Sequence, residues 1–190
     1  KKGVCTLCLP SLGATAPVFT LKSKTFTNIT PESTPVFDCR CVVKVQLVKG
    51  VASDAAEISQ VLEDWAEATS WLPTVDSAIE RADYGRWLLE HTQVTILRYN
   101  SQFVGFLALE GNIVQSLYIK AAFQRLGFGQ AAINYAQEQY NELKLWVFQA
   151  NTDAQKFYQK LGFEALETTD GQDNDYGLPD IFYLWELPDI

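Results

Sequence analysis

Gln124-Arg125-Leu126-Gly127-Phe128-Gly129-Gln130 lies between an apolar run, Ile113–Ile119, and a stretch in which Phe128, Ala131, Ala132, Tyr135 and Ala136 recur at helical spacing. The segment reads as a strand, a glycine loop and a helix. Two glycines at a helix start let main-chain N–H groups come close to an anion, and the helix dipole favours the negative charge. The dipole contributes only about 0.3–1 kcal/mol, so several N–H donors must act together. A Walker loop is excluded, because no Gly-Lys-Ser/Thr follows. Gly127-Phe128-Gly129-Gln130-Ala131-Ala132 formally fits the dinucleotide fingerprint G-x-G-x-x-A. That fingerprint begins at a strand end, however, whereas Lys120–Leu126 intervene here. A third reading gives the glycines only a tight turn to make.

The flanking sequence is regular from Val42 onward. Val45–Val48 reads as a strand. Asp54, with Glu57 three residues on, has capping-box spacing and opens a helix carrying Ile58, Val61, Leu62 and Trp65. Ser77 with Glu80 marks a second helix, from near Asp76–Ser77 to His91. Three apolar strands follow, Val94–Tyr99, Phe103–Leu109 and Ile113–Ile119, broken at Asn100-Ser101 and Glu110-Gly111-Asn112, which predicts an antiparallel meander. Leu143–Phe148 is the next strand, so Ile113–Phe148 is a strand–helix–strand unit long enough for a parallel crossover. A helix with Ala154, Phe157, Tyr158 and Leu161 on one side precedes strands near Ala165–Thr168 and Ile181–Glu186. Between those strands Asp170-Gly171-Gln172-Asp173-Asn174-Asp175 reads as a flexible, solvated acidic loop.

Taken whole, Gln124–Gly129 resembles the Q/R-x-x-G-x-G/A acyl-CoA pyrophosphate loop of the GNAT acyltransferase superfamily. Leu117-Tyr118-Ile119 stands where that family has its cofactor-pairing strand. Asn151-x-x-Ala154-x-x-Phe157-Tyr158-x-x-x-Gly162-Phe163 is similar to the family's second conserved stretch. The resemblance runs from about Val43 to the C-terminus. It implies an α/β fold with a mixed, mostly antiparallel central sheet and helices on both faces, in the order β-α-α-β-β-β-α-β-α-β-β. Residues 43–190 would form the acyltransferase domain and residues 1–42 an arm outside its core.

The resemblance also implies roles for individual residues. Main-chain groups of Leu117 and Ile119 would pair with the amides of the pantetheine arm, with Tyr118 between them. Arg125, Leu126, Gly127, Phe128, Gly129 and Gln130, led by Gln124, would wrap the pyrophosphate, and the Arg125 side chain would add a salt link or remain solvated. Asn151 would contact the cofactor arm or cap its helix. Tyr158 matches the tyrosine placed near the thioester sulfur as general acid; a core tyrosine on that apolar helix face is the alternative. A main-chain N–H of Tyr118 would face the oxyanion. Where some relatives carry a carboxylate early in the fourth strand, this chain has Ile113 and Val114, which leaves Glu110 as the nearest base, with Gln115 or Ser116 acting through water. His91, the only histidine, reads as a helix-end cap. Trp65, Trp71, Tyr84 and Trp87 line the acceptor pocket or belong to the core.

Composition narrows the partners. The chain has 190 residues, 47 % of them apolar, and its longest apolar run, Phe103 to Leu109, falls far short of the ~20 residues of a membrane span. With 15 Lys+Arg against 23 Asp+Glu the formal charge is −8, which argues against nucleic acid. Residues 1–50 carry +5 (seven basic, two acidic) and residues 51–190 carry −13, so the domain suits a cationic acceptor. The expectation is therefore a cytoplasmic, acetyl-CoA-dependent N-acetyltransferase acting on a small-molecule or peptide amine, with no nucleic-acid or membrane partner and no metal in its site. A homodimer is compatible with it. A non-catalytic CoA- or partner-binding module of the same fold and a dinucleotide-dependent oxidoreductase are the alternatives. The first forty residues read as a Thr/Ser/Pro-rich arm. Cys5, Cys8, Cys39 and Cys41 offer a four-thiolate zinc reading, Lys1 to Ala16 a secretory-signal reading, and Asn28-Ile29-Thr30 a sequon. The chain contains no Met, which reads as a processed, partial or altered sequence.

Overall fold

The computed structural model describes residues 45–73 and 78–188. The arm, its four cysteines and sequon, and the Ser77 start signal lie outside them. The strands are β1 (Gln46–Lys49), β2 (Gln93–Tyr99), β3 (Gln102–Glu110), β4 (Ile113–Ile119), β5 (Glu142–Phe148), β6 (Glu164–Thr168) and β7 (Asp180–Glu186). The helices are α1 (Ala55–Ala68), α2 (Ala78–His91), α3 (Phe128–Gln137) and α4 (Thr152–Lys160). The strands form one sheet in the order β1-β2-β3-β4-β5-β7-β6. Every pairing is antiparallel except that of β4 with β5. The meander and the crossover are thus both present. The β2–β3 turn is tight because Asn100 and Ser101 both take positive φ, 48° and 64°, which matches the twist of the strands.

Both faces of the sheet are covered. Ile58, Val61, Leu62 and Trp65 of α1 and Leu88 of α2 pack on Val94, Ile96, Phe106, Ala108 and Tyr118. Phe128, Ala132, Ile133 and Ala136 of α3, with Ala154 and Tyr158 of α4, pack on Leu107, Val114, Leu117, Leu143, Leu145 and Val147. Each buried Val, Leu, Ile or Phe among them contributes about 1.5–3 kcal/mol, so the near-continuous apolar runs of β3 and β4 belong at the centre of the sheet. Among the described residues no helix is long and apolar enough to cross a membrane.

Two local readings are corrected. Asp54 precedes α1 but does not cap it with its side chain. A 3-10 turn over Ala52–Asp54 folds the carboxylate back, so Oδ2 accepts from the Val51 N–H at 2.9 Å and Oδ1 accepts from Arg98 at 2.8 Å. The same guanidinium reaches Glu57 at 3.1 Å. The acidic loop between β6 and β7 is tied down, not loose. Asn174 Oδ1 accepts from the N–H groups of Tyr176 and Leu178, at 3.2 and 3.3 Å. Asn174 Nδ2 donates to the Leu178 carbonyl at 2.7 Å and to Asp180 Oδ2 at 3.1 Å. Asp180 is buried and also accepts from the Thr169 hydroxyl, the partnering a buried carboxylate requires. Asp170, Asp173 and Asp175 remain on the exposed side.

Candidate active site

β4 and β5 share a single rung, Ile113 opposite Lys144, with the Lys144 N–H donating to the Asn112 carbonyl at 2.9 Å. Beyond that rung the two strands part, and a gap opens toward Ile119 and Phe148. The closed end is clamped by side chains: Glu142 Oε1 accepts from Lys144 Nζ and from Asn112 Nδ2, both at 2.7 Å. The hydrogen bond from Lys144 holds the Glu142 carboxyl below its ordinary 4.5. On β4, the Lys120 N–H donates to Val104 at 2.8 Å, which sets the alternation of the β3–β4 ladder. Tyr118, opposite Phe106, therefore turns its N–H and carbonyl toward β3. Leu117 and Ile119 turn theirs toward β5 and the gap. An oxyanion donor at the Tyr118 N–H is thus ruled out by register, and the N–H groups facing the gap are those of its two neighbours.

The β3–β4 register slips between Ala108↔Ser116 and Leu109↔Val114, so Gln115 is an extra, bulged residue. Its buried side chain donates Nε2 to Glu110 Oε2 at 2.6 Å. Glu110 itself is exposed and pairs with Ile113, which places the carboxylate across β4 from the closed end of the gap. Ser116 is fully buried and faces Tyr84, with the two hydroxyl oxygens 3.4 Å apart.

At the open end stands the glycine loop. The seven residues Lys120–Leu126 include a 3-10 turn over Ala121–Phe123. Arg125 (φ 60°) and Gly127 (φ 87°) then take left-handed conformations that reverse the chain into α3. The first bond inside the helix runs from the Ala131 N–H to the Gly127 carbonyl at 2.9 Å. The N–H groups of Phe128, Gly129 and Gln130 precede it, so they are the helix's outward-facing donors. The Phe128 ring is buried against Tyr99 and Phe123, at 5.7 and 6.0 Å, and anchors the loop while its main chain faces out. Leu126 packs on the same core; Arg125 and Gln130 are exposed. Gln124 turns inward: Nε2 donates to the Ile119 carbonyl at 2.8 Å, and the buried Oε1 has no hydrogen-bond partner among the described residues.

Asn151 caps α4, its Oδ1 accepting from the Ala154 N–H at 3.1 Å. Tyr158, two turns into α4, is fully buried against Phe157 and Phe163, at 5.1 and 5.4 Å. On the other face of the sheet a cleft of about 430 Å³, counted with its open mouth, is lined by Val61, Asp64, Trp65, Thr69, Tyr118 and Gln124, among others. Trp65 lines it; Trp71 lies one ring further out, edge-to-face on Trp65. Trp87 does not line it: 41 % exposed, it stacks between Tyr84 and His91 on the outer side of α2. His91 Nδ1 donates to the Trp87 carbonyl at 2.9 Å, as a helix-end cap does.

Residues 66–177, more than half of the chain, match the family described as the acetyltransferase (GNAT) domain. The chain belongs to the GNAT acetyltransferase family. A peptidyl-lysine N-acetyltransferase of Escherichia coli, YiaC, is 27 % identical over 121 residues, 59 % of this acetyltransferase and 80 % of YiaC. An uncharacterized N-acetyltransferase of Methanocaldococcus jannaschii, MJ1207, is 28 % identical over 106 residues, 46 % of the chain and 47 % of that relative. Among solved structures, apo YjaB of Escherichia coli superposes with a TM-score of 0.65 at 22 % identity, covering 75 % of this acetyltransferase and 97 % of YjaB. The structure of yncA from Salmonella typhimurium with its cofactor acetyl-CoA gives 0.59 at 16 % identity over 77 % and 96 %. The likeness in fold is therefore to GNAT structures, and acetyl-CoA is the family's acyl donor. The dinucleotide reading falls away, because the strand feeding this glycine loop is the last of an antiparallel meander. Sequence reasoning missed the Gln115 bulge and the Glu142 clamp. A local apolar pattern carries no mark of either.

Proposed function

We propose that this acetyltransferase moves the acetyl group of acetyl-CoA to a primary amine of a small molecule or peptide, by direct attack with both partners bound. The observation that carries this reading is the one-rung junction of β4 and β5 with the glycine-led start of α3 at its open end. The residues there suit the donor. Main-chain N–H groups between Arg125 and Gln130 suit a diphosphate, helped by the exposed Arg125 side chain. The Leu117 main chain and the Ile119 N–H suit an amide-bearing arm laid along β4 as an added strand. Gln124 holds the end of β4 in place, the Tyr118 ring anchors the same end on Trp65 and Phe106, and Leu126 and Phe128 fix the loop. Asn151 keeps the start of α4 beside the arm.

Acetyl-CoA, when bound, supplies a thioester carbonyl carbon for the amine to attack. The protein's own work is then proton transfer. An alkylamine of pKa ~10.4 is mostly protonated at pH 7, and neutralising it costs about 4.6 kcal/mol at ~1.36 per unit. An α-amine near ~7.8 costs about 1 kcal/mol. Removing the amine proton is the larger task, and Glu110, reached through water past Gln115, is the base. Tyr158 delivers a proton to the leaving thiolate. With a thiol near ~8.5 and a tyrosine near ~10, that step needs the smaller assistance. The name of the Escherichia coli relative supports a peptide lysine as the first acceptor to try.

Release of CoA thiol across a panel of amines, with calorimetry of acetyl-CoA binding, tests the reading. Gly127→Glu places an anion at the helix start and is expected to weaken donor binding strongly, though measurably. Equal acetyl-CoA affinity in wild type and variant sinks the loop assignment.

A further inference from the structure

Trp71 spans the open end of the β4–β5 gap on the face opposite α3. Its ring meets Trp65 at 6.1 Å, and Trp65 meets Tyr118 of β4 at 5.5 Å. On its other side Trp71 meets Phe148, the last residue of β5, at 5.6 Å. Phe148 in turn meets Tyr176 of the β6–β7 loop at 5.6 Å. All four contacts are edge-to-face, so the arc joins both strands of the gap to α1 and to two loops. Trp65 and Phe148 are buried, whereas Trp71 and Tyr176 are half-buried and reach the surface. The glycine loop heads α3 on the opposite face. A molecule approaching the gap from the α1 face passes the rings of Trp71 and Tyr176.

We infer that Trp71 is the acceptor-selecting residue, and that it favours a protonated primary alkylamine on an unbranched hydrocarbon stem over a compact, hydroxyl-rich amine. This rests on the acetyltransferase reading above. An indole face is the best aromatic partner for an ammonium, and its hydrocarbon surface takes a methylene stem. The five rings give an unbranched methylene stem a continuous apolar surface to cover, which a compact hydroxyl-rich amine cannot use. The surrounding charge agrees. Asp173 and Asp175 flank the Tyr176 segment on the exposed side of its loop, and Asp64 lies at the rim of the cleft beside Trp65. Lys120, the cation of that cleft, has its ammonium drawn 5.1 Å from the Phe103 ring.

The test compares hexylamine with 2-amino-1,3-propanediol as acceptors for wild type, Trp71→Ala and Trp71→Phe. Wild type is expected to prefer hexylamine in kcat/KM, and Trp71→Ala to lose roughly tenfold of that preference through the acceptor KM. Trp71→Phe restores most of it, and the acetyl-CoA KM stays within about twofold throughout. An unchanged preference in Trp71→Ala, or an acetyl-CoA KM that rises with the acceptor KM, overturns the assignment. Binding separates this failure from that of the acetyltransferase reading. Hexylamine added to the CoA-loaded protein should change tryptophan emission, and Trp71→Phe should remove that change whether or not any amine turns over. An identical emission change in Trp71→Phe also overturns it, while absence of turnover with the change intact counts against the acetyltransferase reading alone.

Discussion

A Cβ built on Gly105 would lie 2.1 Å from the carbonyl oxygen of Tyr118. The two strands approach that closely at the point where β4 turns the main chain of Leu117 and Ile119 toward the gap. Gly105→Ala must push β4 away from β3. Overpacking of this kind costs about 1–3 kcal/mol, readable as a lower urea midpoint. The rate should suffer more than the stability, because a displacement of about 1 Å at a reacting geometry costs on the order of 10²-fold. A stable variant with full kcat would show that the position of β4 does not matter to the chemistry.

Gly127 separates strain from charge. At φ 87° any other residue is strained, by about 1–2 kcal/mol, so Gly127→Ala should weaken acetyl-CoA binding modestly and lower stability. Gly127→Glu carries the same strain plus a charge facing the diphosphate. The extra loss of affinity in Gly127→Glu over Gly127→Ala should shrink as salt is raised, because screening shortens the reach of that charge to ~3 Å at 1 M. Titration calorimetry at two ionic strengths reads both effects.

The Glu142 clamp predicts a pH dependence of stability. The Lys144 hydrogen bond depresses the Glu142 carboxyl in the folded state. The clamp's contribution is therefore fully present above the ordinary 4.5 and is lost as pH falls below it. Denaturant midpoints measured from about pH 6 down to about pH 3 should fall less steeply in Glu142→Gln than in wild type. Parallel curves would mean that the closed end of the gap does not depend on this carboxylate.

Tyr158→Phe keeps the ring in its pocket between Phe157 and Phe163 and removes only the hydroxyl. Since a tyrosine near ~10 helps a thiol near ~8.5 only modestly, kcat should fall about tenfold and not by thousands. An unchanged rate and pH profile would leave Tyr158 a core residue.

Much of the fold is legible from local pattern. Ile113–Ile119 is read to the residue, and the meander, the crossover and the helix after Gly127 follow from apolar spacing and turn residues. What local pattern misreads is set by distant partners. Asp54 has the spacing of a helix cap, but Arg98, 44 positions away, claims its carboxylate. The acidic loop reads as loose because Asp180, which pins it through Thr169 and Asn174, is counted with the next strand, as its first residue. Within the candidate site, Gln124, Gly127 and Asn151 stand out in the sequence by their motifs. The direction of the Tyr118 peptide does not, because it depends on the ladder with Val104 and Phe106.

Because β1–β4 and β5–β7 meet at one rung, a donor lying between them would serve as the strand that the sheet lacks. Its occupancy would add about 2.7 kcal/mol to folding at a hundredfold excess over its dissociation constant. Abundance of the enzyme in a cell would then track the supply of CoA and its thioesters together. Copies with the gap empty would be the first to open and be degraded.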